Sequence, residues 1–243
     1  MATQKASAVF VECLEAEGVR YVFGIPGEET LDLNESIEDS SIQFVPVRHE
    51  QGGAYMADVY GRLTQRAGVC LGTLGPGATN LVTAVADAYL DRAPLVALTG
   101  QSDLERMHKE SHQYIDLMRV MRPITKWNAQ LTDPAIIPEV VRKAFKVAES
   151  EKPGATHIEL PEDVMAEPLD AAPLPRMDIA RPEPNARDIL RAADMIKSAV
   201  NPIVLAGNYE VLSTKIFFAI AGAQHDPGRA AVLAAVLLGF TIV

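Results

Sequence analysis

Val69-Cys-Leu-Gly-Thr-Leu-Gly-Pro-Gly-Ala-Thr-Asn80 joins a short apolar run, a glycine-proline turn and the opening of a helical pattern. The run over residues 69–73 reads as a buried strand, because it is too short for a core helix and ends at a chain-breaking Gly75-Pro-Gly77. The pattern from residue 78 to about residue 90 then reads as a helix. The same unit recurs upstream. Tyr21-Val-Phe-Gly-Ile25 is a strand closed by Pro26-Gly27, a short helix runs through Leu31 and Ile37, and a strand covers residues 42–47. A helix over residues 51–65 follows, with Ala54, Ala57 and Tyr60 or Gly61 on one face. Downstream, Leu95-Val-Ala-Leu98 is a strand closed by Gly100, residues 134–150 form a helix with Pro134 in its first turn, and His157-Ile-Glu-Leu160 is a further strand. At the start of the chain Phe10, Cys13 and Leu14 share a helical face that stops at Gly18. Strand, turn and helix in repetition imply parallel pairing with right-handed crossovers, so the fold class is α/β, a mostly parallel sheet with helices on both faces.

The 243 residues are 48% apolar and 22% charged, enough for a real core and for one large domain or one domain with part of a second. The domain is expected over residues 1–165. Six prolines between Pro161 and Pro184 predict an extended linker over residues 166–185. A helix from residue 186 and the strand Ile203-Val-Leu-Ala206 resemble the start of a second α/β domain over residues 186–208, and residues 209–243 form an atypical apolar tail. Its last run, from Ala230, is shorter than the roughly 20 residues a spanning helix needs. The formal charge of −10 argues against a nucleic-acid partner, which asks for a basic face. Cys13 and Cys70 stand far apart among apolar neighbours and read as buried small residues. The N-terminus shows no apolar signal segment, and a cytoplasmic protein without a membrane partner is expected.

Ligands of open α/β sheets gather at the carboxyl ends of the strands. Four segments should meet there: Gly24-Ile-Pro-Gly-Glu-Glu29, Arg48-His-Glu-Gln-Gly-Gly53, Thr73-Leu-Gly-Pro-Gly-Ala-Thr-Asn80 and Thr99-Gly-Gln101. Glu50 falls between a strand end and a helix start. An isolated glutamate there would simply face the helix dipole. Gly52 and Gly53, however, weaken the first helical turn by about 1 kcal/mol each, which suggests that something approaches its backbone closely. Gly75-Pro-Gly-Ala-Thr-Asn80 is like a dinucleotide fingerprint but has Asn80 at the third glycine position, so a simple tight turn stands beside an anion loop. His108 and His112 lie at i, i+4 without the metalloprotease pattern or a third ligand, so no metal site is expected there.

Val22-Phe-Gly-Ile-Pro-Gly27, Arg48-His-Glu-Gln51, Met56-Ala-Asp58, Gly61-Arg62, Gly75-Pro-Gly-Ala-Thr-Asn-Leu81, Thr99-Gly-Gln101 and Pro123-Ile-Thr-Lys126 occur in the order found in acetolactate synthases. The chain resembles the N-terminal, pyrimidine-binding domain of an acetolactate-synthase-like thiamine-diphosphate enzyme. The likeness runs from about residue 6 to residue 169, with the start of a central domain to residue 208. It implies a 2-keto-acid decarboxylase and carboligase that converts pyruvate to acetolactate and CO2. In such enzymes a glutamate hydrogen-bonds N1′ of the aminopyrimidine and helps remove the C2 proton of the thiazolium, and Glu50 matches it. That role calls for a desolvated pocket in which the protonated form is favoured. Gly27, Pro76 and Asn80 match residues that line the cofactor. Gln113 matches an active-site glutamine, with His112 where the family has phenylalanine. Glu28 replaces the second glycine of a Gly-Gly pair, and Lys126 matches a lysine of the substrate-entry region.

The resemblance also implies Mg2+ held, with the diphosphate, by a separate C-terminal domain, and FAD as a further cofactor in part of the family. The chain has no Gly-Asp pair of the kind that domain carries. Its site would form between subunits, in a homodimer or with a full-length homologue, and the isolated chain is expected to bind thiamine diphosphate weakly or not at all. The competing expectations are a non-catalytic module that pairs with full-length relatives, and a Rossmann-type nucleotide protein resting on Gly75-Pro-Gly77 alone.

Overall fold

The computed structural model describes residues 3–176 and 185–198. After a short strand β1 (Gln4–Lys5), helix α1 (Ala6–Ala16) leads to β2 (Tyr21–Gly24). Then follow α2 (Leu31–Glu38), β3 (Gln43–Pro46), α3 (Glu50–Thr64), β4 (Gly68–Gly72), α4 (Pro76–Leu90) and β5 (Leu95–Gln101). The chain continues through α5 (Leu117–Met121), β6 (Trp127–Gln130), α6 (Ile137–Glu149), β7 (Ala155–Pro161), α7 (Glu162–Ala166) and β8 (Pro168–Leu169). Six strands pair in the order β3-β2-β4-β5-β7-β6, all parallel. The expected α/β class with helices on both faces is what the chain adopts.

Every residue of β4, β5 and β7 is buried, as central strands covered on both faces must be. Side chains alternate between two cores. Val69, Leu71, Val96 and Leu98 join Phe10, Leu14, Leu33 and Phe145 under α1, α2 and α6. Cys70, Leu95 and Ala97 join Ala54, Ala57, Leu81 and Val85 under α3 and α4. Cys13 and Cys70 therefore sit in different cores, and burial pushes both thiols up to about 12.

Because α2 and α3 lie on opposite faces, the chain changes direction at β2, going out to β3 and returning to β4 on the other side. That reversal opens a crevice at the carboxyl ends of β2 and β4. It brings the segments after β2, β3 and β4 to one place.

The motif Met56-Ala-Asp58…Gly61-Arg62 proves to be a clamp between helices. Arg62 Nε reaches both oxygens of Asp58 at 3.0 Å, while Nη1 reaches Asp91 and Nη2 reaches Asp87, each at 3.0 Å. Asp58 is 2% exposed, and burial raises its carboxyl while Arg62 opposes that rise. Gly61 permits the approach of α3 to the sheet, since a Cβ there would stand 2.2 Å from the Pro94 carbonyl oxygen.

The structure differs from the expected linker. β8 pairs antiparallel with β1, Gln4 opposite Leu169. Arg176 donates from Nη2 to Glu149 Oε2 at 3.0 Å, and Glu149 Oε1 accepts from Ala67 N at 2.9 Å. Arg142 Nη1 lies 2.7 Å from Glu17, whose carboxyl burial pushes up to about 7 against that guanidinium. Residues 166–176 are thus strapped onto the first compact unit, which spans residues 1–181. Their prolines break helices without freeing the chain. Strand β6 was not foreseen, because Trp127-Asn-Ala-Gln130 lacks an apolar run and each residue is half-buried at the sheet edge.

In the second unit, α8 (Ala186–Ser198) begins where expected, with Asn185 Oδ1 accepting from Asp188 N at 2.9 Å. The strand expected over residues 203–206 and the apolar tail of residues 209–243 lie outside the described residues. No helix among the described residues is long and apolar enough to cross a membrane.

Removal of the clamp by Arg62→Ala leaves buried Asp58 without its cation. The expected cost is about 3 kcal/mol, or roughly 6–12 °C in Tm, read by calorimetry. His157 offers a second check. It is fully buried, with Nε2 2.8 Å from Thr99 Oγ1, and burial lowers the ring from 6.5 to about 3. A folded value below the unfolded one gives stability that is complete above pH 6.5 and lost as pH falls through the window toward 3. Urea unfolding at about pH 7 and about pH 5 should show a loss about 2 kcal/mol smaller in His157→Leu than in the parent.

Candidate functional site

Glu50 is the first residue of α3, and the turn before it is fixed by His49, whose Nδ1 accepts from Gln51 N at 3.2 Å. A carboxylate there faces the positive end of the helix. The side chain is nonetheless 8% exposed, because α4 closes over it. Asn80, on the second turn of α4, donates from Nδ2 to Glu50 Oε2 at 2.9 Å. The other oxygen, Oε1, faces Gly77, where a Cβ would stand 3.4 Å away. One oxygen is therefore held and the other lies against bare backbone.

The floor of the crevice follows from close approaches. A Cβ on Gly27 would stand 2.3 Å from Thr73 Cβ, and one on Gly77 would stand 2.8 Å from Thr73 Cγ2. Thr73 Oγ1 in turn donates to Glu29 Oε2 at 2.7 Å, tying the segment after β4 to the segment after β2. Gly75 takes φ 51°, and a Cβ there would stand 2.4 Å from the Gln113 carbonyl oxygen. Gln113 rests on that turn with φ 54° and is exposed at the rim, and Pro76 stands at the start of α4. The proline's missing N–H costs nothing at that helix position.

Gly27, Glu50, Pro76, Asn80 and Gln113 are thus gathered in one region, with His112 exposed beside Gln113. Asn80 stands on a helix rather than a loop and reaches the carboxylate directly. Glu28 lines a recess of about 130 Å³ with Glu29, Thr30, Leu160, Glu162 and Met165. Burial, then the charges of Asp103, Glu29 and Glu28, hold the Glu162 carboxyl above its usual range.

The expected close approach to the first turn of α3 is found at Gly53 alone, and Lys126 lies away from the crevice. A Cβ on Gly53 would stand 3.1 Å from the backbone of Phe23, while one on Gly52 meets nothing within 4 Å. The close neighbour of this helical turn is the chain's own strand β2. Lys126 lies at the amino end of β6, the opposite end of the sheet from Glu50. Its Nζ donates to the carbonyls of Val147, Ser150 and Glu151, closing the C-terminus of α6. Burial, then Arg92, lowers its ammonium below the usual range. The sequence did not single out Thr73 or Glu29 individually, because a pair 44 positions apart carries no local signal.

Known proteins resemble this chain over most of its length. Residues 4–120 match the family described as "Thiamine pyrophosphate enzyme, N-terminal TPP binding domain". The chain is 39% identical over 216 residues to the "Probable acetolactate synthase large subunit" of Methanocaldococcus jannaschii, covering 86% of this chain and 36% of that protein. It is 39% identical over 202 residues to the "Acetolactate synthase large subunit" of Corynebacterium glutamicum, covering 81% of this chain and 32% of the other. With "Acetolactate synthase, catabolic" of Raoultella terrigena the identity is 39% over 203 residues, covering 82% and 36% respectively. The chain spans about a third of the length of each of these curated relatives. The chain is a homologue of acetolactate synthase large subunits and carries, over residues 4–120, the N-terminal TPP binding domain of thiamine pyrophosphate enzymes.

Proposed function

We propose that this chain supplies the pyrimidine-binding half of a thiamine-diphosphate-dependent decarboxylase and carboligase that takes pyruvate to acetolactate and CO2. The observation that carries this reading is Glu50, buried at a helix start, with one oxygen fixed by Asn80 and the other against Gly77. A glycine-lined crevice beside a single buried carboxyl fits a flat, neutral heterocycle that presents a ring nitrogen. Thiamine diphosphate, when bound, supplies the electron sink that decarboxylation of a 2-keto acid requires. Glu50 would hold a proton at the pyrimidine N1′. Asn80 would keep the carboxyl aimed by occupying Oε2, and Gly27 and Pro76 would shape the wall against the ring. Gln113 and His112 would meet the keto acid at the rim. Glu28, where the family has a glycine, would narrow the choice of acceptor.

On this reading Mg2+ and the diphosphate are held by a domain outside this chain, with FAD as a further cofactor of the family. The partner is a second copy or a full-length homologue, working in the cytoplasm in branched-chain amino-acid synthesis. The surface that supports pairing is on α3, where Tyr55, Met56, Val59 and Leu63 are 36%, 48%, 49% and 80% exposed along one side. Apolar side chains at i, i+3 and i+7 form a continuous stripe that a soluble surface seldom leaves open.

The test is complementation. The chain is mixed with a full-length acetolactate synthase whose own activating glutamate is changed to glutamine, and acetolactate is measured. Restored activity that falls by about 10²–10⁴-fold with Glu50→Gln in this chain is the expected outcome. Hetero-oligomers that form and stay inactive would instead identify a pairing module. Sedimentation of the same mixture tests the α3 surface. Val59→Asp with Leu63→Asp should weaken association by about a hundredfold or more, since desolvating new charges costs several kcal/mol, while the far-UV spectrum is unchanged.

A further inference from the structure

Glu159 is 1% exposed on β7, and among the ion pairs of the described residues none involves it. Its two oxygens accept instead from two glutamine amides. Gln101 Nε2 on β5 donates to Oε1 at 2.9 Å, and Gln130 Nε2 on β6 donates to Oε2. Each amide has a second N–H, and each spends it on the same loop. Gln101 donates to the Ile115 carbonyl at 3.2 Å, and Gln130 reaches Met107 Sδ at 3.4 Å. Gln101 Oε1 accepts from Ser102 N at 3.1 Å, so that amide is used completely.

The loop so held, residues 102–116, carries Gln113. It contains three non-glycine residues in the left-handed region, His108 at φ 64°, Glu110 at φ 52° and Gln113 at φ 54°. Such backbone persists only where surrounding contacts over-determine it. An amide can turn about its last bond and exchange oxygen for nitrogen. Only an acceptor with two free oxygens, placed between both glutamines, keeps both N–H groups directed toward the loop.

We propose that Glu159 is a positioning residue, which through Gln101 and Gln130 holds the loop of residues 102–116 and sets Gln113 on Gly75 at the rim of the Glu50 crevice. The role for Gln113 rests on the function proposed above, whereas the anchoring of the loop does not. Glu159→Gln keeps the shape but offers one oxygen and one NH2, so one glutamine meets a donor where it had an acceptor.

Hydrogen exchange of the cofactor-free chain, followed by mass spectrometry, reads the loop directly. In E159Q the peptides covering residues 103–116 should exchange at least tenfold faster, with β4 and β5 unchanged. Unchanged exchange in that loop of a folded variant would overturn the proposal. If E159Q does not fold, Gln130→Met on the edge strand reads the same link. There, exchange around Met107 should rise at least threefold, and no rise overturns the proposal. In the complementation mixture E159Q should raise KM for pyruvate at least threefold while C2 proton exchange of thiamine diphosphate stays constant. A loosened loop with unchanged KM would overturn the positioning role. Because the exchange measurement needs no cofactor, its failure is distinct from a failure of Glu50→Gln to abolish complementation.

Discussion

The packing of α3 against α4 is the constraint on which the site depends, and it is fixed at both ends of α3. At its start Asn80 reaches across to Glu50, and near its end Arg62 gathers Asp58, Asp87 and Asp91. A buried carboxylate at a helix start needs a partner whose position is certain, because an unsatisfied charged group in the interior costs several kcal/mol. The distant clamp supplies that certainty for the near contact. Small residues between them, Ala54 and Ala57 on α3 and Ala84 and Ala88 on α4, let the helices lie close.

The sheet places this helix pair. Reversal of the strand order at β2 puts α2 and α3 on opposite faces and leaves the ends of β2 and β4 uncovered between them. Glycines at 27 and 77 then bring Thr73 and Glu50 into one small volume. On the far side of β5, a ladder of polar groups, buried Thr99 with His157 and buried Gln101 with Glu159 and the half-buried Gln130, continues toward the rim. The same sheet thus holds the carboxyl that would act on a cofactor and the groups that hold the loop above it.

Much of this was legible in the sequence. Buried parallel strands are short continuous apolar runs, and glycine-proline turns punctuate them, so β2, β4, β5 and β7, with α1, α2, α3, α4 and α6, could be read directly. Glu50 stood out because a glutamate at a strand-to-helix junction, followed by two glycines, is locally unusual. The reason for those glycines was not legible: Gly53 makes room for β2. Lys126 likewise had a motif but no place, and it closes a helix at the far end of the sheet. Edge strand β6 and the β1–β8 pair escaped because polar or proline-bearing strands carry no hydrophobic period.

The sequence by itself determined the repeating strand-turn-helix order and singled out Glu50 as the candidate at the centre of the site, since both are written in local patterns of apolar residues, glycine and charge. Only the tertiary structure decided which groups partner one another. Asn80 for Glu50, Thr73 for Glu29, Arg62 for three aspartates and Glu159 for two glutamines are partnerships across strands and helices. They arise from the order in which the strands pair and from how closely the helices can approach. Neither is encoded at any single position in the chain.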